Sequence, residues 1–188
     1  GFKDLYVETA PFQGFGDIQT LDDLSENVGI CGYLGDIWQA LEKLKVPKPE
    51  SLDYPKELNY LLERDIEIVK VKNVLGRMQS GIFIKPVKQK LFTGFVMSGS
   101  VQDDTKLSTI SLEEEVFNCK KVNFISEYRC YILNHQVLGV HWYKGNFFSP
   151  ISESVLSEAI KRYKPVAPIA YCLDLGVTDE NKTLLVEV

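Results

Sequence analysis

A lysine stands in the middle of an apolar run near the centre of the chain. Residues 81–87 read Gly-Ile-Phe-Ile-Lys-Pro-Val, which places Lys85 on a predicted apolar strand. Burying an ammonium group is costly unless it meets an anion. Two late carboxylates, Asp174 and Glu187, could bring a divalent cation to the same anion. Together these residue types suggest ATP with Mg²⁺; the alternative for Lys85 is a surface lysine on a half-exposed strand.

A predicted hairpin places the two carboxylates relative to each other. Residues 178–181 read Thr-Asp-Glu-Asn, a turn-like stretch between two predicted strands. Strand residues whose numbers sum to 359 should then face one another, so Cys172 lies opposite Glu187. Asp174 becomes the diagonal neighbour of Glu187, with roughly 7–8 Å between their backbones. We therefore predict that the two acids share one ion; the alternative is two solvated acids on an exposed sheet face.

Glu127 and Arg129 form a second pair of candidate ligand-binding residues. They are two positions apart on a predicted strand and therefore share a face. A hairpin that turns at residues 134–135 would set them near Trp142 and Val140. Arginine offers a planar fork for phosphate or carboxylate, and glutamate can accept hydrogen bonds from ribose hydroxyls. The alternative is a salt bridge with no ligand.

Composition and charge exclude several classes of function. The 188 residues include 21 basic and 26 acidic side chains, and a net charge of -5 gives no global attraction for nucleic acid. No apolar run approaches the roughly 20 residues that span a bilayer, and the first residues lack the features of a signal peptide. We expect a cytoplasmic protein with no membrane partner. The four cysteines form no C-x-x-C pair and are expected to be reduced, structural thiols.

Hydrophobic periodicity predicts helices early in the chain and strands later. One helix is expected from about Asp36 to before Pro47, and a short second helix from Pro55. Residues 66–72 fit a strand or a helix. One clear helix, at 152–163 with Ser152 as its N-cap, interrupts strands predicted at 82–87, 91–97, 115–119, 127–133, 137–143, 170–177 and 183–188. This order predicts an α+β fold with antiparallel sheets. Neither G-x-x-x-x-G-K-[ST] nor G-x-G-x-x-G occurs, so strands and a hairpin must hold any nucleotide.

The order of these motifs resembles the ATP-grasp superfamily, and most closely a clade of small ATP-grasp domains found in bacterial and phage proteins. The resemblance covers residues 64–188 and rests on Phe83-Ile84-Lys85-Pro86, Phe92-Thr93-Gly94, Glu127-Tyr128-Arg129, Asp174 and Leu185-Val186-Glu187-Val188. It implies two lobes with antiparallel sheets that hold the nucleotide between them, a lobe boundary near residues 119–123, and a pre-grasp region over residues 1–63. The family pattern continues with an asparagine at what would be position 189, which implies a truncated C-terminal end.

The resemblance also implies a role for each site residue. Lys85 would reach the phosphates, and a mobile loop over residues 88–94 would close over them through Lys88, Lys90, Thr93 and Gly94. The hinge that recognises adenine would be Lys120, Lys121, Val122 and Asn123, with Glu127 on the ribose hydroxyls. Asp174 and Glu187 would bind Mg²⁺, Arg129 would lie near the γ-phosphate or an acyl phosphate, and Arg64 would lie at the acceptor side.

The activity implied by the resemblance is an ATP-dependent ligation of a carboxylate to an amine through an acyl-phosphate intermediate. Its partners would be small-molecule or peptide carboxylates and amines, with ATP and Mg²⁺ as cofactors. A non-catalytic ATP-binding module of a longer protein is an alternative, and a small-molecule kinase would use the same residues with a different acceptor. The sequence indicates neither the substrates nor the oligomeric state.

Overall fold

The computed structural model describes residues 30–77 and 79–188. The chain divides into two compact units, Gly1–Glu50 and Ser51–Val188. In the described part of the first unit, helix α1 (Leu34–Lys43) confirms the helix predicted before Pro47. Residues 1–29 of the predicted pre-grasp region, including the residues used to argue against a signal peptide, lie outside the described residues. The division at residues 63 and 64 stays a prediction.

The first sheet of the second unit is built from four antiparallel strands. They are β1 (Ile66–Lys70), β2 (Ser80–Pro86), β3 (Phe95–Ser98) and β4 (Glu115–Lys120), in the order β1-β4-β2-β3. The ambiguous segment 66–72 is thus a strand, followed by the 3₁₀ helix Val71–Asn73. Ile84 and Val116 are fully buried on one face of this sheet, together with Met97 and Leu107. Lys85 points to the opposite face because side chains alternate along a strand.

The second sheet has the strand order β6-β5-β7-β8 and is also antiparallel. Its strands are β5 (Phe124–Leu133), β6 (Gln136–Gly145), β7 (Ala170–Thr178) and β8 (Thr183–Glu187). One face packs against the 3₁₀ helix Lys56–Leu61 and helix α3 (Glu153–Tyr163) in a core that includes Leu58, Leu156, Leu173 and Leu185. Side chains on the other face of β5 and β7 are therefore free to build a site.

Two predictions about the elements are confirmed and two are corrected. Ser152 caps α3 as expected, because its Oγ accepts the Val155 N–H at 3.4 Å. The short helix at Pro55 is present, as a 3₁₀ helix rather than an α-helix. The strand predicted at 91–97 begins only at Phe95, after a loop in which Lys90 has a positive φ of 62°. One further helix, α2 (Val101–Leu107), interrupts the strands, so the expectation of a single helix there is wrong.

The predicted register of the β7–β8 hairpin is also wrong, by one residue near the turn and by two near the carboxylates. The loop has three residues, 179–181, because the Thr178 N–H donates to the Lys182 carbonyl at 2.9 Å and Asn181 takes a positive φ of 63°. A further register shift lies between Asp174 and Leu175. As a result Asp174, and not Cys172, lies directly opposite Glu187.

Candidate active site

Three of the predicted site residues form a row across neighbouring strands of the second sheet. Arg129 on β5 is the backbone partner of Asp174 on β7, and Asp174 is the partner of Glu187 on β8. All three alternate with core residues such as Cys130 and Leu173, so they occupy the face opposite α3. The strand pairing therefore brings together one guanidinium and two carboxylates that are far apart in the sequence.

Arg129 and Asp174 make a two-pronged ion pair. The Arg129 Nε donates to Asp174 Oδ1 at 2.8 Å, and Nη2 donates to Oδ2 at 2.7 Å. The Asp174 side chain is 4% exposed and that of Arg129 is 44% exposed, so the carboxylate is sealed while the guanidinium borders solvent. The hydrogen bonds to Asp174 raise the pKa of Arg129 further above its ordinary value. Arg129 is thus held in place by a buried anion beneath it.

Glu127 lies on the same face and is buried, with 7% of its surface exposed. Its carboxylate accepts a hydrogen bond from the Tyr143 hydroxyl at 2.9 Å and pairs with the Lys144 ammonium. Burial raises the pKa of Tyr143, and the negative charges of Asp174 and Glu127 raise it further. The Tyr143 hydroxyl therefore remains a hydrogen-bond donor between these two acids.

The neighbours predicted for Glu127 and Arg129 were Trp142 and Val140, and the structure corrects both. The hairpin turns at residues 134–135 as expected, but register shifts follow along β5. Arg129 consequently faces His141, and Glu127 faces Lys144. The bulges bring a basic residue and a tyrosine toward Glu127 instead of an apolar pair.

Lys85 reaches from the first sheet to the row on the second sheet. Its ammonium donates to Glu187 Oε2 at 2.5 Å and also pairs with the Asp53 carboxylate. Burial lowers the pKa of Lys85, but hydrogen bonds to Asp53 and Glu187 outweigh it, and the pKa is raised overall. Lys85 is therefore a charged group at the cleft.

Sequence reasoning missed two residues at this point, Asp53 and Tyr54. Lys85 Nζ lies 5.5 Å from the centre of the Tyr54 ring, which packs edge-on against Phe117. Asp53 and Tyr54 precede a predicted helix start at Pro55, and nothing in that local pattern singles out a ligand-binding group. Their role arises from a contact with Lys85, 32 residues away from Asp53 in the chain.

A cavity of about 410 Å³ opens between the two sheets. Residues 121–123 cross one side of it, between the last paired residue of β4 and the first of β5, outside the ladders of both sheets. The cavity is lined by basic and acidic side chains, aromatic rings and aliphatic groups: Tyr54, Arg64, Phe83, Val96, Cys119, Lys120, Lys121, Val122, Asn123, Phe124, Glu127, Lys144, Val186 and Glu187. Four of these side chains are basic and two are acidic, which suits an anionic ligand.

One wall of the cavity depends on a glycine. The Phe124 ring occupies the space that a Cβ at Gly176 would fill. Because β5 and β7 are neighbours, the missing side chain lets this ring lie flat against the sheet at the end of the cleft near residues 121–123. The predicted hinge residues Lys120, Lys121, Val122 and Asn123 thus adjoin an aromatic wall, an arrangement that suits a flat heterocycle.

The structure does not bring every predicted residue to this cavity. Lys88, Lys90 and Thr93 are exposed on the loop between β2 and β3, and none of them lines it. Lys88 instead lines a shallow depression beside Glu113, Glu114 and Glu115. Their closure over phosphate stays a prediction.

Gly94 has a packing reason for lacking a side chain. A Cβ there would lie 2.9 Å from Phe83 Cζ and 3.1 Å from the Ile84 carbonyl oxygen. The close approach that glycine permits is thus to strand β2, next to Lys85. The predicted contact of this backbone with phosphate remains untested.

Arg64 lines the cavity and also holds β8 in place. Its Nη1 donates to the Leu185 carbonyl at 3.2 Å, and Nη2 donates to the Val186 carbonyl at 3.4 Å. These contacts bind the guanidinium next to Glu187. Its predicted role at the acceptor side stays a prediction.

The two carboxylates Asp174 and Glu187 fit a magnesium ion that is completed by other ligands. Among the described residues, no group of three or more His, Cys, Asp or Glu side chains could hold a metal. Mg²⁺ commonly takes one or two carboxylates together with water and substrate phosphate oxygens. Since the two acids are direct cross-strand partners, their oxygens can converge on one ion. Each now pairs with a basic side chain, Arg129 or Lys85, in the position that a cation would compete for.

Two four-stranded antiparallel sheets that enclose a cleft, with a lysine on one sheet and a row of acids on the other, define an ATP-grasp domain. The chain belongs to an ATP-grasp domain family, the second family of its clade, whose model matches residues 61–188. This confirms the resemblance seen in the sequence and the α+β fold with two antiparallel lobes.

Solved structures with the same fold include ligases of three kinds. D-alanine–D-alanine ligase from Bacillus anthracis complexed with ATP is 18% identical, with a TM-score of 0.53 over 80% of this chain and 61% of that one. L-amino acid ligase from Bacillus licheniformis is 12% identical, with a TM-score of 0.50 over 79% and 44%. Macrocyclase MdnC from Microcystis aeruginosa MRC, bound with precursor peptide MdnA, is 15% identical, with a TM-score of 0.47 over 70% and 48%.

These similarities show the fold, and the chain spans less than two thirds of the length of each of these proteins. A comparison with curated proteins gave no match. In the described parts of the chain, no helix has both the length and the apolar character needed to cross a membrane.

Proposed function

We propose that the second unit binds Mg·ATP in the cleft between its two sheets and uses it to join a carboxylate to an amine. The observation that carries this proposal is the convergence of Lys85, from the first sheet, on Glu187, beside Asp174 and Arg129 on the second. The adjoining cavity of about 410 Å³ has the size of a small-ligand site. A cytoplasmic location accompanies this proposal as an expectation.

The nucleoside end of the ligand belongs at residues 120–123, where unpaired backbone and the Phe124 ring border the cavity. Glu127 would accept hydrogen bonds from the ribose hydroxyls, because its carboxylate is buried and faces the same cavity. Lys144 neutralises Glu127 when no sugar is present. This assigns the adenine and ribose to the end of the cleft where β4 continues into β5.

The phosphates belong at the Lys85 end of the cleft. Lys85 would contact them, and Asp174 and Glu187 would hold Mg²⁺, which neutralises charge on the transferring phosphoryl group when bound. Arg129 would then turn part of its guanidinium from Asp174 toward the γ-phosphate or acyl phosphate. Phosphoryl transfer depends on such positioning and charge, so a nucleophilic side chain of the protein is not required.

In the proposed reaction the substrate carboxylate oxygen attacks the γ-phosphorus of ATP, and ADP leaves. The acyl phosphate is then attacked by an amine, which forms an amide and releases phosphate and a proton. The substrates are small-molecule or peptide acids and amines, in keeping with the amino-acid and peptide ligands of the proteins that share the fold.

The test is ADP release from Mg·ATP in the presence of pairs of amino acids or short peptides. We expect release that needs both a carboxylate and an amine and that is abolished in Lys85→Ala and Asp174→Asn. Exposed Lys161, on the outer side of α3, provides a matched control as Lys161→Ala, which should keep full activity. ADP release that needs only one hydroxyl or carboxylate acceptor would indicate a kinase instead.

A second candidate is a domain that binds ATP without catalysis. The observation in its favour is that both proposed metal ligands are already paired with Arg129 and Lys85. For this candidate, Mg·ATP would stabilise the protein and no ADP would form with any acid and amine pair.

A further inference from the structure

Asp53 lies under the cleft in a conformation that few residues adopt. It is 8% exposed and has a φ of 40°, in the left-handed region where Asp and Asn are tolerated better than most residues. Its carbonyl accepts the Val188 N–H at 3.0 Å, which ties the segment to the end of β8. The Asp53 carboxylate accepts one hydrogen bond from Ser51 Oγ and pairs with Lys85 through its other oxygen. The segment thus links the lysine of one sheet to the last strand of the other.

The two carboxylates that share Lys85 differ in burial. The Asp53 side chain is 11% exposed, whereas the Glu187 side chain is 35% exposed. Solvent screens the more exposed pair and weakens it. Asp53 is also fixed by its own backbone and by Ser51, so less side-chain freedom is lost when it holds the ammonium. Asp53 is therefore the stronger of the two partners.

The two carboxylates also have different demands on them. Glu187 is one of the two proposed magnesium ligands, and a carboxylate oxygen that binds a cation is less able to accept from an ammonium. Asp53 has no such second task, because its other oxygen is occupied by Ser51. The Tyr54 and Phe117 rings, with centres 5.5 and 6.0 Å from Lys85 Nζ, support the ammonium more weakly.

We propose that Asp53 is a positioning residue for Lys85, which keeps the ammonium aimed into the cleft when Glu187 turns to a cation. This inference deepens the proposed function and rests on it for the identity of the ligand. It assigns to the segment before Pro55 a part in the nucleotide site.

The first test follows the reactivity of the Lys85 amine without any nucleotide. The protein is acetylated with an N-hydroxysuccinimide ester, and the rate at Lys85 is measured by peptide mass spectrometry in the wild type, Asp53→Asn and Glu187→Gln. Asparagine suits the positive φ and keeps an acceptor for Ser51. We expect Asp53→Asn to raise the Lys85 rate about tenfold or more, as loss of a charged hydrogen-bond partner implies. Glu187→Gln should raise it less than about fivefold.

Controls separate this effect from a general loosening of the fold. The exposed acid Asp65, as Asp65→Asn, should leave the Lys85 rate unchanged, and lysines such as Lys161 should react equally in all variants. If Asp53→Asn does not unfold cooperatively, Ser51→Ala and Glu187→Gln still decide the question. An equal or larger effect of Glu187→Gln, or no effect of freeing Asp53 from Ser51, overturns the proposal.

The second test measures Mg·ATP binding by isothermal titration calorimetry. We expect Asp53→Asn to weaken binding about tenfold or more, with little further loss when Lys85→Ala is added. Tighter binding by Asp53→Asn would show that Asp53 competes with phosphate, and would overturn the positioning role. Absence of Mg·ATP binding in the wild type would refute the proposed function, whereas the acetylation result would still report whether Asp53 holds Lys85.

Discussion

Removal of Arg129 should destabilise the protein more than neutralisation of its partner Asp174. Arg129→Met keeps much of the side-chain length but leaves the Asp174 carboxylate, only 4% exposed, without the donors at 2.8 and 2.7 Å. Loss of one partner of a buried pair costs about 3–5 kcal/mol. Because Arg129 is 44% exposed, water can reach part of the vacated space, and we expect about 2–3 kcal/mol. Asp174→Asn keeps an oxygen acceptor and leaves a guanidinium that borders solvent, so its cost should be about 1 kcal/mol.

The assay is urea unfolding followed by circular dichroism, with thermal unfolding in parallel. For a chain of this size the Arg129→Met penalty corresponds to a fall in Tm of about 5–10 °C. The double variant Arg129→Met/Asp174→Asn should be more stable than Arg129→Met alone, because it leaves no buried charge unpaired. A larger loss in Asp174→Asn than in Arg129→Met would refute this reasoning, and so would a double variant that shows simple additivity.

Three further predictions concern the elements that position the site. Leu173→Ala, at a fully buried core position between β7 and α3, should lower the free energy of unfolding by about 2–5 kcal/mol in urea titrations. Gly176→Ala should displace the Phe124 ring and cost about 1–3 kcal/mol, a loss that Phe124→Leu in the same chain should partly restore. Burial raises the pKa of Asp103, but hydrogen bonds from Ser100, Ser98 and Gly99 outweigh it and lower the pKa overall. The stability contributed by Asp103 is thus present above the unfolded-state pKa near about 3.9 and lost as the pH falls further, so Asp103→Asn should cost most at pH 7 and least in acid.

Strand periodicity predicted much of the site. Because side chains alternate along a strand, the pattern placed Glu127 and Arg129 on one face, and the structure puts both opposite the α3 core. Hydrophobic patterning likewise identified both sheets and α3, since their buried faces follow a period of two or of 3.6 residues. The sequence also predicted that Asp174 and Glu187 would meet in one hairpin.

Register and distant contacts could not be read from the same pattern. A three-residue loop and a bulge moved Glu187 from Cys172 to Asp174, and neither has a strong local signature. Helix α2 was missed although Ser100 and Asp103 form a capping box, a signal that was present and overlooked. Asp53 was missed because its importance depends on a long-range contact with Lys85.

The most direct test of the account is thermal unfolding with ATP, Mg²⁺ or both, in the wild type, Lys85→Ala and Asp174→Asn. A ligand at about 100 times its dissociation constant adds about 2.7 kcal/mol to the free energy of unfolding. For a chain of this size that corresponds to a rise in Tm of about 5–10 °C. The account predicts this rise in the wild type when ATP and Mg²⁺ are present together, and its loss in both variants. An unchanged Tm in the wild type under every condition would contradict a nucleotide site between the two sheets.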